Sequence, residues 1–320
     1  MITDLILNKA FRRAESNARS IKYPNKLIQA KKRELVRIET IKNIILSELD
    51  KLLIKIPRET EIKEFYRELL EINFDWQNIR KAIIRVKFMK KFMSNLYIKY
   101  KNSIKITRDF QKMKELRREF YGRVASVLKR NRDYIYLLSE VIRFLRNAPN
   151  IKPYPTVVIA GYPNVGKSTL LYKLTGSKPN IQPYPFTTKD IMIGYIKTPY
   201  FKIQLIDTPG ILDRPLEYMN PVEKKAVLAI RKLPHLILYV IDATETCGYD
   251  INSQIKLLHQ IEKKFGKEVW IYLSKTDLFG DEDNTRAKIV YNIKKPVFKD
   301  VITLRDELIS YFKKQKNLYL

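Results

Sequence analysis

Cysteine is almost missing from this chain and histidine nearly so: Cys247 stands alone among 320 residues, with His235 and His259. One thiol excludes an internal disulfide framework, and a single cysteine with two distant histidines makes no zinc pattern. No uninterrupted apolar run approaches the roughly 18 residues of a membrane helix. The apolar N-terminal stretch is too short for a secretory core and carries Asp4 early. Acidic residues are scarce beside basic ones, 34 Asp and Glu against 62 Lys and Arg, a formal net charge of +28. The expectation is a soluble, cytoplasmic protein with a polyanionic partner, in which Cys247 and the two histidines are structural or incidental.

What is present suffices to fold. Hydrophobic residues make up 45% of the chain, above what disordered segments carry, and its length allows about two domains. Three prolines, Pro149, Pro153 and Pro155, punctuate a change of character. The expected division is a helical domain over 1–148, a Pro-rich linker over 149–155 and a second domain over 156–320. Before the linker, apolar residues recur at helical spacing, through Leu35, Ile38, Ile41, Ile45 and Leu49 and again through Ile83, Val86, Met93 and Leu96. From Ile106 to Leu145 the same spacing predicts one long amphipathic helix. An all-α bundle results. After the linker, short apolar runs (191–196, 203–206, 236–241, 269–273) alternate with helix-like segments (222–233, 251–265, 304–312). That alternation predicts an α/β domain with a mostly parallel sheet, whose ligand sits at the carboxyl ends of the strands.

The charge is unevenly shared. Residues 1–150 hold 36 basic and 17 acidic side chains, and Arg80 to Arg132 alone holds 18 against 3, with Tyr97, Tyr100 and Tyr121 interleaved. A merely solvated face mixes both signs and an anionic membrane surface is the other alternative, but the run points first to nucleic acid, structured RNA ahead of DNA.

The chemistry-bearing motif is Val157 to Leu170, VIAGYPNVGKSTL plus its flanks. Gly161 and Gly166 let the backbone wrap a polyphosphate, the loop N–H groups face the anion, and the following helix adds the positive end of its dipole. Lys167 would reach the β and γ phosphates and the Ser168 hydroxyl would ligate Mg²⁺. Asn164, Val165 and Thr169 complete the loop's expected contacts. Three later stretches specify the nucleotide. In Pro183 to Thr188, Thr188, favoured over Thr187, would complete the Mg²⁺ shell and sense the γ-phosphate. In Asp207-Thr208-Pro209-Gly210, Asp207 would hold Mg²⁺ through a water while Gly210 approaches the γ-phosphate. In Ser274-Lys275-Thr276-Asp277, the aspartate would accept two hydrogen bonds from guanine and the lysine stem would lie along the base. That set selects GTP and GDP. A small-residue turn should close over guanine after the last strand, and only Tyr291 to Lys294 offers itself.

These stretches, GYPNVGKSTL, QPYPFTTK and DTPGILDRPLE, with GRVASVLKRNRDYIYLLSEVIRFLRNAP upstream, resemble the nucleolar GTP-binding protein 1 family, an Obg-related branch of GTPases. The resemblance covers at least Arg58 to Asp277. It implies a GTPase of large ribosomal subunit assembly, bound to ribosomal RNA and the pre-large subunit through its basic helical domain. No membrane, DNA or oligomeric partner is expected. Ser274 stands where that family has an asparagine bracing the phosphate loop. Eukaryotic members look longer beyond the nucleotide domain, and the short form with its Lys- and Ile-rich composition resembles an archaeal member.

Ras-like switches place a glutamine after the DxxG glycine to position water, and Ile211 stands here instead. A slow GTPase is therefore expected, its catalytic set being Lys167, Asn164, Thr188 and Gly210, with Asn164 able to hold K⁺ where an arginine finger otherwise acts. Two alternatives stay open: an RNA-binding assembly factor that does not hydrolyse, and an adenine-nucleotide enzyme, from which Asp277 discriminates.

Overall fold

The computed structural model describes residues 2–185, 190–208, 212 and 220–316. Two compact units divide the chain: residues 1–62 with 73–146, and residues 63–72 with 147–320.

The first unit is helical: α1 (Ile2–Arg19), α2 (Lys26–Lys55), α4 (Trp76–Ile106), α5 (Phe110–Arg130) and α6 (Arg132–Asn147). Side-chain caps set the helix starts. Asn25 accepts from the backbone N–H of Leu27 and Ile28, Asp75 from Gln77 and Asp109 from Gln111, which satisfies first-turn donors that have no intrahelical partner. The buried stripes Ile38, Ile41, Ile45, Leu49 of α2 and Val86, Met89, Met93, Leu96 of α4 supply the core.

The single long helix expected from Ile106 to Leu145 is instead three pieces. Ile106 ends α4, Asp109 caps α5, and at Asn131 (φ −110°, ψ 18°) the chain breaks before α6. Apolar spacing survives the break at Asn131 because the buried Leu128 and Ile135 on either side stand seven residues apart, as they would in a continuous helix, so periodicity could not register it. None of the three interleaved tyrosines is exposed. Tyr97 and Tyr100 are buried and the ring of Tyr121 stacks on Phe11 at 4.9 Å, while Phe88 and Phe92 are the exposed aromatics of α4.

In the second unit, α3 (Glu64–Asn73) is held by short contacts. The Tyr66 hydroxyl donates to the Pro149 carbonyl at 2.6 Å and accepts from the Ile151 N–H at 2.9 Å. Next come β1 (Thr156–Ala160), α7 (Lys167–Thr175), β2 (Asn180–Pro183), β3 (Asp190–Lys197), β4 (Lys202–Asp207), α8 (Pro221–Ile230), β5 (Leu236–Asp242), α9 (Ile251–Phe265), β6 (Glu268–Ser274), α10 (Asp281–Tyr291), β7 (Val297–Phe298) and α11 (Val301–Lys316). The sheet order is β2-β3-β4-β1-β5-β6-β7, parallel from β4 to β7 and antiparallel through β2, β3 and β4. Every residue of β1 and β5 is buried, so both faces of the sheet are covered there. The mostly parallel sheet read from the alternation is present. Apolar periodicity missed β2 and β7, which are short and lie at the two edges, and the amphipathically weak α10.

Candidate functional site

Parallel register brings the carboxyl ends of four strands to one edge. Ile159 of β1 lies beside Asp207 of β4, Ala160 beside Tyr239 of β5, and Asp242 at the end of β5 beside Ser274 at the end of β6. Residues 161–166 leave this edge between β1 and α7. Gly161 has φ +139°, and a Cβ there would stand 2.6 Å from the Val240 carbonyl oxygen. Asn164 and Gly166 also take positive φ, 60° and 97°, and Gly166 is the N-cap of α7. Gly161→Ala is expected to destabilise the fold by at least about 1–3 kcal/mol from backbone strain alone, read as a lower denaturant midpoint at unchanged slope.

Lys167 opens α7 and is buried, its Nζ donating back across the loop to the carbonyls of Gly161 at 2.9 Å and Tyr162 at 2.6 Å. Ser168 follows, its Oγ donating to Asp207 Oδ2 at 2.6 Å. Asp207 is fully buried. A hydroxyl and a carboxylate at that separation form an oxygen donor set of the kind that suits a hard divalent cation. Val165 is buried, while Asn164 and Thr169 are exposed. Thr188 and Gly210, with Thr187 and Ile211, lie outside the described residues. The segment leading to Thr188 is anchored: Tyr184 is buried and its hydroxyl donates to the Ala226 carbonyl at 2.6 Å.

On the other side of the loop, the Ser274 hydroxyl donates to the Ile241 carbonyl at 3.1 Å. Its Cβ lies 3.7 Å from where a side chain on Gly166 would begin, so this position faces the loop although its polar atom turns to β5. Lys275 takes φ 54° and opens the short 3₁₀ turn Thr276–Leu278, on which Asp277 is exposed. Lys275 Nζ donates to Asp242 Oδ2 and to Thr246 Oγ1, both at 2.7 Å.

Sequence reasoning missed Asp242. Fully buried, it also accepts from the Thr244 N–H and hydroxyl, the Thr246 hydroxyl and the Cys247 N–H. Burial works against its charge, but the hydrogen bonds from Lys275 and Thr244 and the charge of Lys275 outweigh it and hold the carboxyl below its ordinary range. The available signal was the hydroxyl-rich run Asp242-Ala243-Thr244-Glu245-Thr246 directly after a strand. The turn closing the site needs correction too. Tyr291 ends α10 and Asn292 caps it, so Tyr291 to Lys294 precede the last strand instead of following it. The residues after β7 are Lys299 and Asp300, next in register to the end of β6. Burial, then the charges of Asp300 and Asp277, push the Tyr272 phenol up. A strand of two residues after Pro296 gives no apolar pattern to find.

A glycine loop between a buried strand and a helix, with lysine and serine opening that helix and an aspartate ending the neighbouring strand, defines a P-loop nucleotide-binding protein of the GTPase class. Residues 156–275 match the family described as 50S ribosome-binding GTPase, and residues 1–152 match the NOG1 N-terminal helical domain. An uncharacterized protein of Methanocaldococcus jannaschii is 38% identical over 88% of this chain and 80% of its own length. Nucleolar GTP-binding protein 1 of Saccharomyces cerevisiae is 34% identical over 77% of this chain but only 39% of its own length. A solved nucleolar GTP-binding protein 1 structure from Plasmodium falciparum aligns with 53% of this chain and 97% of its own, at 29% identity and a TM-score of 0.40. The chain belongs to the nucleolar GTP-binding protein 1 family. It spans about two fifths of the yeast relative. Among the described residues, no helix is long and apolar enough to cross a membrane.

Proposed function

We propose that this protein binds GTP and GDP with Mg²⁺, hydrolyses GTP slowly, and acts in assembly of the large ribosomal subunit while bound to ribosomal RNA through its helical unit. The carrying observation is the convergence of Lys167, the Ser168–Asp207 pair and the Ser274–Asp277 turn on one strand edge. Ser168 and Thr188 would ligate Mg²⁺, with Asp207 acting through a water, and the cation would neutralise charge developing on the phosphates. Lys167 neutralises the same charge from the loop side, and Asp277 reads guanine. The 50S ribosome-binding description of the matching GTPase family and the nucleolar relatives support the ribosomal setting. Asp277→Asn is expected to weaken GDP binding about ten- to hundredfold, the range for a hydrogen bond to a charged group, with little change for ATP. If ATP stabilised the protein as well as GDP did in a thermal-shift panel, and Asp277→Asn changed neither, the guanine reading would fail.

Asn164, exposed and in a left-handed conformation within the loop, is the proposed K⁺ ligand. Hydrolysis with the RNA partner present should run at least about tenfold faster in potassium than in sodium, a transition-state charge contribution at the lower end of those known. Equal rates would remove the cation. A second reading, an assembly factor that clamps nucleotide without hydrolysing it, is favoured by Ser274, whose hydroxyl goes to Ile241 and not to the phosphate loop. Multiple-turnover phosphate release on ribosomal particles separates the two.

A further inference from the structure

At the edge where the strands begin, opposite the phosphate loop, the second unit has an open pocket of about 680 Å³. Thr156 at the start of β1, Lys202 at the start of β4 and His235 just before β5 all line it. The five residues of β1 separate it from Gly161, about 17 Å at the rise of an extended strand, so a ligand here would not compete with one on the loop. The volume falls within the range of small-ligand sites, about 300–1,000 Å³.

Two kinds of side chain dominate the lining. Tyr154, Tyr200 and Phe312 supply aromatic surface, and Lys63, Lys152 and Lys202 supply positive charge. The acid among the lining residues, Glu64, is engaged by Lys232 at 2.6 Å. Among the described residues no carboxylate pairs with Lys63, Lys152 or Lys202: Lys63 Nζ donates to the Ile151 carbonyl at 3.0 Å, and Lys202 Nζ lies 6.0 Å from the Tyr154 ring. Burial, then the charge of Lys152, holds the Lys63 ammonium below its usual range. Like charges lining one pocket repel one another, and an anion would relieve that cost. His235 adds a donor. Its Nδ1 accepts from the Thr156 N–H at 3.0 Å, which assigns the ring hydrogen to Nε2.

We propose that this cavity is a second ligand site for a phosphate-bearing nucleobase, distinct from the loop site, with the base stacked on its aromatic wall and the phosphate held by Lys63, Lys152 and Lys202. Lysines alone would accept any anion, and aromatic rings alone any apolar group. The combination matches a nucleotide, because every base offers a π-face and lies within a few ångströms of a phosphate. The source is either an unpaired residue of single-stranded RNA or a free mononucleotide.

The test uses the full chain with its loop site saturated by GDP, and a tetranucleotide RNA containing 5-iodouridine as photo-crosslinking probe. Crosslinks are expected in the peptides carrying Tyr154, Tyr200 or Phe312. The double substitution Lys152→Glu with Lys202→Glu should lower their yield about tenfold, as should Tyr200→Ala if one stacking contact is lost, while GDP affinity stays unchanged. Tyr200 is 81% exposed, so its removal leaves folding intact and keeps the test valid should the double variant misfold. Crosslinks confined to other peptides, or yields unaffected by both variants, would overturn the proposal. With those crosslinks present, displacement of the probe by excess uridine monophosphate identifies a free nucleotide as a competent ligand, and failure to displace it identifies the RNA strand.

Discussion

Raising the salt from about 50 to about 200 mM is expected to lower the affinity of the full chain for a structured ribosomal RNA fragment about a thousandfold, the loss for about six neutralised phosphates. The cations that would make those contacts are specific. Lys87, Lys91, Lys114, Arg118, Lys129 and Arg130 lie on α4 and α5, all exposed, and none has a carboxylate within ion-pair distance among the described residues. Neighbours of the same sign are already engaged: Lys90 with Asp50, Arg117 with Glu34 and Arg123 with Glu119. Each unengaged cation releases about one counterion on contact, so reversing Lys87, Lys91 and Lys114 to glutamate should flatten the salt slope by about one per residue. Binding isotherms at four or five salt concentrations measure both effects. Affinity indifferent to salt, or to those reversals, would end the RNA reading.

Lys167→Ala should lower GTP hydrolysis by about a hundred- to thousandfold, the usual cost of removing one preorganised charge from the phosphates. The side chain is buried and already oriented, with two loop carbonyls within 3 Å of Nζ, so little reorganisation remains to oppose catalysis when nucleotide arrives. Single-turnover phosphate release measures the loss, and far-ultraviolet circular dichroism confirms the fold. An unchanged rate would leave the second unit a structural clamp, since no P-loop hydrolysis proceeds at full speed without that ammonium.

The two kinds of site residue were not equally legible. Gly161, Gly166, Lys167 and Ser168 form a contiguous motif, because one loop must supply both the backbone curvature and the cation, and such requirements are written at fixed spacing. Asp242 sits 75 residues from Lys167 in the chain, and nothing in its neighbourhood names its partner Lys275. That pairing exists because β5 and β6 run parallel with Asp242 opposite Ser274. The turn after the last strand was misplaced for a related reason: β7 has two residues, held in place by β6 and invisible to any local pattern. The break at Asn131 escaped notice because burial repeats through it on both sides, at Val124 and Leu128 and again at Ile135 and Leu138.

The sequence by itself determined the helical first unit, the α/β second unit, the phosphate loop and the concentration of positive charge, since each follows from spacing or composition within a few turns or strands. Only the tertiary structure decided that α3 packs with the second unit, that Lys275 is tethered to a buried aspartate, that Tyr97 and Tyr100 belong to the core, and that aromatic rings and lysines from five separated segments surround one cavity. Those outcomes depend on register and packing between distant residues, whose energies are spread over many weak contacts and leave no short-range pattern in the chain.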